Sequence, residues 1–82
     1  MVAKAIVMLN TEVGMENEIF EKVFEIPEVK EVYMVYGIHD LIVVIEAETM
    51  EKLRNLITEK IRKMKGVKST LTSIVVMHKT KE

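Results

Sequence analysis

The sequence predicts an α+β fold, on three observations. Two β-rich runs, Val32–Tyr36 and Leu41–Ala47, flank the four residues Gly37-Ile38-His39-Asp40. Gly takes φ > 0 without steric cost and Asp can bond its own nearby backbone, so the stretch reads as a β-hairpin. On each side of the hairpin lies an apolar stripe of helical period, and beyond each stripe another β-rich run. The chain is therefore arranged about its middle: strand and helix before, helix and strand after.

Residues 2–11 read as the first strand. Alternation puts Ala3, Ala5, Val7 and Leu9 on one side and Lys4, Ile6, Met8 and Asn10 on the other, so both sides are partly apolar. After the loop Glu12-Val13-Gly14, residues 15–25 suit a helix whose stripe is Met15, Ile19, Phe20, Val23 and Phe24. Glu16, Glu18 and Glu21 complement the positive end of the macrodipole, and Glu18 can pair with Lys22 at i,i+4. Pro27 stops this helix by driving Ile26 out of the α region. Val29–Tyr36 and Leu41–Ala47 follow as strands; Leu41-Ile-Val-Val-Ile45 has no polar member, which calls for burial on both faces. Thr49 suits the N-cap of a helix over 50–65, with the stripe Leu53, Leu56, Ile57, Ile61 and Met64 and Gly66 as its stop. The last strand is expected from Lys68 to about Lys79.

The order is βαββαβ, the ferredoxin-like arrangement. Right-handed crossovers give a four-stranded antiparallel sheet in the order 4-1-3-2 with both helices on one face. Every strand would leave apolar residues on the opposite face, more than a soluble monomer exposes. A second copy packed sheet to sheet, as a symmetric dimer, is the simplest cover.

Bulk numbers point the same way. A single domain of 82 residues hides only about 60% of its unfolded surface, and without cysteine it has neither disulfides nor thiolate metal sites to help. Association is the remaining stabiliser. A net charge of −1, with basic and acidic residues intermixed, shows no basic face for nucleic acid. No apolar run is longer than Leu41–Ile45, too short to span a membrane, and no signal peptide is evident, so a cytoplasmic place is expected. The lack of glutamine beside abundant Lys and Glu leans towards a thermophile.

Few residues suggest chemistry. His39 and Asp40 could in principle move protons, but adjacent residues seldom point the same way, and no Ser or Cys nucleophile completes a group. A structural or binding role suits His39 better. Asp40 has two readings: an Asx bond that fixes the turn, or a carboxylate that meets a ligand's ammonium group. Ser69-Thr70-Leu71-Thr72-Ser73 clusters hydroxyls at the start of the last strand, as an ordinary polar edge or as a row that binds a small polar ligand. The histidines His39 and His78 have no third ligand at metal-site spacing, and no cofactor is implied.

Three stretches together resemble the RAM domain, the effector-binding half of Lrp/AsnC-type transcription regulators. They are Ile26-Pro-Glu-Val29, Val35-Tyr-Gly-Ile-His-Asp-Leu-Ile-Val43 and Gly66-Val-Lys-Ser-Thr-Leu-Thr-Ser-Ile-Val75. The Gly-x-x-Asp turn before a fully apolar strand is the most specific part. The likeness covers residues 1–79 as one domain, with a charged tail over 80–82. It implies a dimer with its sheets face to face, further assembly into a ring of dimers (an octamer), and an amino-acid effector in the cleft between dimers. By resemblance the contacts are Gly37, Ile38, His39 and Asp40 with Thr70 and Thr72, Asp40 and the turn backbone holding the ammonium and carboxylate ends. Many members have an aromatic residue where His39 stands. Full regulators carry a helix-turn-helix domain ahead of this unit, whereas this chain begins at the first strand. It thus resembles a stand-alone form, expected to act without direct DNA binding, through a full-length Lrp/AsnC-type relative or by competing for the effector. Two other readings stay open: a small dimeric α+β-barrel enzyme (oxygenase or isomerase) using His39 or a buried carboxylate, and a purely structural assembly subunit. No strand interior carries an obvious ionisable group, so an enzyme is not expected.

Overall fold

The computed structural model describes residues 2–81. Met1 and Glu82, the outer ends of the expected domain and tail, lie outside the described residues. The elements are β1 (Ala3–Thr11), α1 (Glu16–Phe24), β2 (Val29–Met34), β3 (Leu41–Ala47), α2 (Met50–Leu56), a π-helical turn continuing α2 (Ile57–Ile61), and β4 (Val67–Ile74). They form one antiparallel sheet in the order β2-β3-β1-β4, which is the expected 4-1-3-2 read from the other edge.

Alternation decides which side of the sheet is dry. Ala5, Val7 and Leu9 of β1 and Leu41, Val43 and Ile45 of β3 are completely buried, in one cluster with Ile19 and Val23 of α1 and Leu53 of α2. Each fully buried Leu or Ile contributes about 2 kcal/mol, so the two central strands and their helix cover supply most of the stability. The intervening residues Ile6, Met8, Ile42 and Val44 are only half-buried, because no helix lies on their side.

The helices follow their sequence signals with two exceptions. Thr49 takes extended dihedrals (φ −135°, ψ 160°) and its Oγ1 accepts the Lys52 N–H at 3.1 Å, an N-cap as expected. Glu18 and Lys22 pair at 3.1 Å. Phe24, however, is 59% exposed rather than part of the buried stripe. It lies about 120° around the helix from the line midway between Ile19 and Val23, beyond the arc that the sheet covers. The second helix is not α-helical to residue 65: the Arg62 N–H donates to the Ile57 carbonyl at 2.9 Å, the i→i+5 bond of a π-turn. The wider turn brings Ile61 back into line with Leu53 and Ile57, and all three are buried.

Two strands end early. β2 stops at Met34 rather than Tyr36, because the Val35 N–H already closes the hairpin on the Asp40 carbonyl at 3.0 Å. β4 stops at Ile74, which pairs with Ala5; after the Val75 N–H meets the Lys4 carbonyl at 2.9 Å, β1 has run out. An edge strand cannot outlast its single neighbour.

The second helical run ends at Ile61, with Arg62 as its C-cap, rather than at residue 65, so Gly66 is not its stop. At φ +99° Gly66 lies in the turn that leads into β4, and its carbonyl accepts the Glu12 N–H at 2.8 Å, joining the loops at that end of the sheet. A Cβ at Gly66 would sit 2.6 Å from Met15 Cε and 3.0 Å from Ile19 Cδ1, whereas one at Gly14 (φ +86°) would meet nothing within 4 Å. Gly14→Ala is therefore expected to cost only the left-handed penalty, about 1 kcal/mol, and Gly66→Ala about 2 kcal/mol because Met15 must also move. Urea unfolding of the two variants at equal protein concentration measures the difference.

Candidate functional site

Asp40 sits where the hairpin enters β3, and its backbone is used twice. Its N–H donates to the Leu9 carbonyl at 2.9 Å and its carbonyl accepts from Val35. Its carboxylate oxygen Oδ2 accepts the backbone N–H of Thr11 at 2.8 Å and the Thr11 hydroxyl at 3.3 Å. Thr11 is the one polar residue of the described chain that is buried, so this carboxylate satisfies a donor that water cannot reach. The expected local Asx bond is replaced by a bond across 29 residues to the end of β1.

The rest of the turn has little to do within the chain. Ile38 is 89% exposed and Tyr36 is fully exposed. His39 is half-buried, and its Nδ1 is shut off from water without a hydrogen-bond partner. Gly37 corrects the sequence reading: the positive-φ glycines are Gly14 and Gly66, so the hairpin does not need Gly37 for a left-handed turn. A Cβ there would meet nothing within 4 Å. Neither backbone conformation nor packing within this chain demands glycine at that place.

Thr70 and Thr72 stand opposite Leu9 and Val7, which puts both hydroxyls on the helix side of β4. There they line a groove of about 480 Å³ with Arg54, Ile57, Thr58, Arg62 and Ile74. None of Gly37, Ile38, His39 and Asp40 lines it. Asp40 and Thr70 flank the same end of β1, each tied to Leu9, but the six expected residues do not form one pocket within a single chain. Sequence reasoning missed Arg54, Thr58 and Arg62. The signal was available: they are the chain's two arginines and a threonine spaced every fourth residue along one helix.

The sheet face turned away from the helices has the layout of a contact surface. Ile6, Met8, Ile42 and Val44 form its middle, Tyr33 and Leu71 flank them, and polar pairs close the ends. Lys4 Nζ lies 3.9 Å from Glu46 at one end, and Asn10 Nδ2 donates to Ser69 Oγ at 3.2 Å at the other. The negative charge of Glu31 beside the Tyr33 phenol, together with their hydrogen bond, holds that group above its usual pKa. An apolar middle with a polar rim is the anatomy of a protein–protein interface.

Residues 4–82 match the family model described as the Lrp/AsnC ligand binding domain. An uncharacterized HTH-type transcriptional regulator of Pyrococcus horikoshii is 31% identical over 71 residues, covering 87% of this chain and 45% of the regulator. A homocitrate synthase of Sulfurisphaera tokodaii is 51% identical over 51 residues, which is 62% of this chain and 11% of the enzyme. The chain thus spans less than half the length of either curated relative. Among solved structures, FFRP-DM1 superposes with a TM-score of 0.88 at 46% identity, covering 90% of this chain and 99% of that one. A transcriptional regulator of Neisseria meningitidis, solved as an L-Met complex, superposes with a TM-score of 0.80 over 95% of this chain and 54% of its own; at 19% identity the likeness is one of fold.

Proposed function

This chain belongs to the Lrp/AsnC ligand binding domain family, and on that premise we propose that it is an oligomeric regulatory module that binds an amino acid. The observation that carries the site assignment is Gly37. A glycine in ordinary backbone conformation, with open space where a side chain would go, leaves room for something from outside the chain. In this reading Gly37, Ile38, His39 and Asp40 of one copy meet the ligand, and Thr70 and Thr72 of a neighbouring copy in a ring of dimers complete the site. Two copies would reconcile the six residues with their separation in one chain. The amino-acid class is supported by the L-Met complex of the Neisseria regulator.

The module itself performs no catalysis in this reading. The stretch shared with homocitrate synthase is a small fraction of that enzyme, and we read it as a regulatory attachment rather than its catalytic body. Contact with DNA would come from helix-turn-helix sequence of the kind the curated regulators are named for, in the cytoplasm where such regulators work. Among the described residues no helix is long and apolar enough to cross a membrane.

Titration calorimetry with each standard amino acid at millimolar concentration tests the proposal. At least one is expected to give saturable heat. Gly37→Val, whose Cβ meets nothing within 4 Å in its own chain, is expected to keep the wild-type melting temperature and to weaken that binding at least about tenfold. Silence from every amino acid sinks the sensing role, and undiminished binding by Gly37→Val moves the site away from the turn.

A further inference from the structure

The groove between the second helical run and β4 holds a charge pattern that the amino-acid reading does not use. Its lining contains both arginines of the chain, three threonines and two isoleucines, and no acidic residue. A smaller hollow of about 330 Å³ shares Arg62 and Thr70 and extends to Lys68 and Ser69, again without an acid. Of the ten lysines, Lys4, Lys22, Lys52 and Lys63 each lie within 4.0 Å of a glutamate. Among the described residues neither Arg54 nor Arg62 has such a partner.

Arg54 and Arg62 stand on the same helical run and both border this concavity, giving it a positive potential that favours an anion. Arginine is the side chain suited to this task, since its planar fork binds an oxyanion through two parallel N–H bonds. The backbone is shaped to the same end. Arg62 donates the bond that defines the π-turn, and such turns are rare in helices and recur at functional sites. Opposite the arginines, the alternation of β4 sends Thr70, Thr72 and Ile74 into the groove, so hydroxyl donors face the cations and an isoleucine lies at each side.

We propose that this groove is a binding site for a small doubly charged oxyanion, either a dicarboxylate or a phosphate. Two unpaired guanidiniums match two negative charges, whereas an ordinary amino acid offers one net-neutral pair. Ile57 and Ile74 favour the carbon body of a dicarboxylate or of a phosphate ester. The groove shares Thr70 and Thr72 with the amino-acid site proposed above, but its cations, Arg54 and Arg62, are not used there.

The test titrates the wild-type protein with inorganic phosphate, with succinate, and with acetate, at ionic strength held constant with sodium chloride. Phosphate or succinate is expected to bind saturably and at least tenfold more tightly than acetate. The double variant Arg54→Gln/Arg62→Gln, in which both changed residues are exposed and the fold is kept by circular dichroism, is expected to weaken that binding at least tenfold. Binding of phosphate alone or succinate alone supports the site and names its source. Equal binding of acetate, or undiminished binding by the double variant, overturns it. Neither probe carries an ammonium group, so a failed amino-acid screen leaves this result untouched.

Discussion

Met8→Asp is expected to convert the protein from a dimer or larger assembly into single copies. Met8 lies on the sheet face without helices, between Ile42 of β3 and Leu71 of β4. Leu71 is 55% and Tyr33 48% exposed, and the four residues between them are half-buried, so the single chain leaves an apolar middle in water. A symmetric pair would cover it, and two-fold symmetry would then place each substitution in the interface twice. A short carboxylate cannot reach the rim, and desolvating one costs several kcal/mol. Two of them exceed about 5 kcal/mol, more than a thousandfold in the dimer dissociation constant. The variant's own fold is spared, because the side chain at this position points out of the core. Sedimentation velocity at about 10–100 μM decides the matter. A wild-type protein that runs as a single copy removes the need for a cover, and a dimeric Met8→Asp puts the contact on another surface. Dimerisation also predicts a melting temperature that rises with wild-type concentration and a flat one for the variant.

Which parts of this molecule could be read in the sequence follows from what each signal depends on. Alternation along Ala5–Leu9 and the all-apolar Leu41–Ile45 depend only on facing, so both central strands, their order and the two-sided greasiness of the sheet were legible. Thr49 was legible because a cap acts within its own helix, whereas Gly66 was read as the helix stop and lies instead in the turn before β4, after a run that ends at Ile61. The ends of β2 and β4 were not, since each is set by a partner strand rather than by its own residues. Phe24 was over-read because a stripe five residues wide exceeds the arc a sheet can cover. Gly37 was assigned a backbone role by its type, and only the dihedrals show that Gly14 and Gly66 are the glycines with positive φ. The arginine groove was invisible to charge counting: near-neutral net charge averages over surfaces, and the two arginines come to line one groove with the β4 threonines only once the second helical run packs beside β4.

Asp40→Ala is expected to cost about 3 kcal/mol of stability, and the reason lies at Thr11 rather than in the turn. The carboxylate accepts the buried Thr11 N–H at 2.8 Å and the Thr11 hydroxyl at 3.3 Å. Hydrogen bonds to a charged acceptor are worth about 1.5–3 kcal/mol, and removing the acceptor leaves a desolvated N–H with nothing in its place. Asp40→Asn keeps an oxygen at the same position and is expected to recover roughly half of the loss, since the remaining bond is neutral. Thr11→Val deletes the longer bond alone, at about 1 kcal/mol. Urea unfolding at one fixed protomer concentration ranks the three, which matters because assembly adds to apparent stability. The pair Asp40→Ala and Asp40→Asn then separates two duties of one side chain. If the carboxylate both ties β1 to the hairpin and meets an ammonium group, Asp40→Asn stays folded yet loses amino-acid affinity. Binding that survives Asp40→Asn assigns the charge to the fold and leaves recognition to the turn backbone and His39.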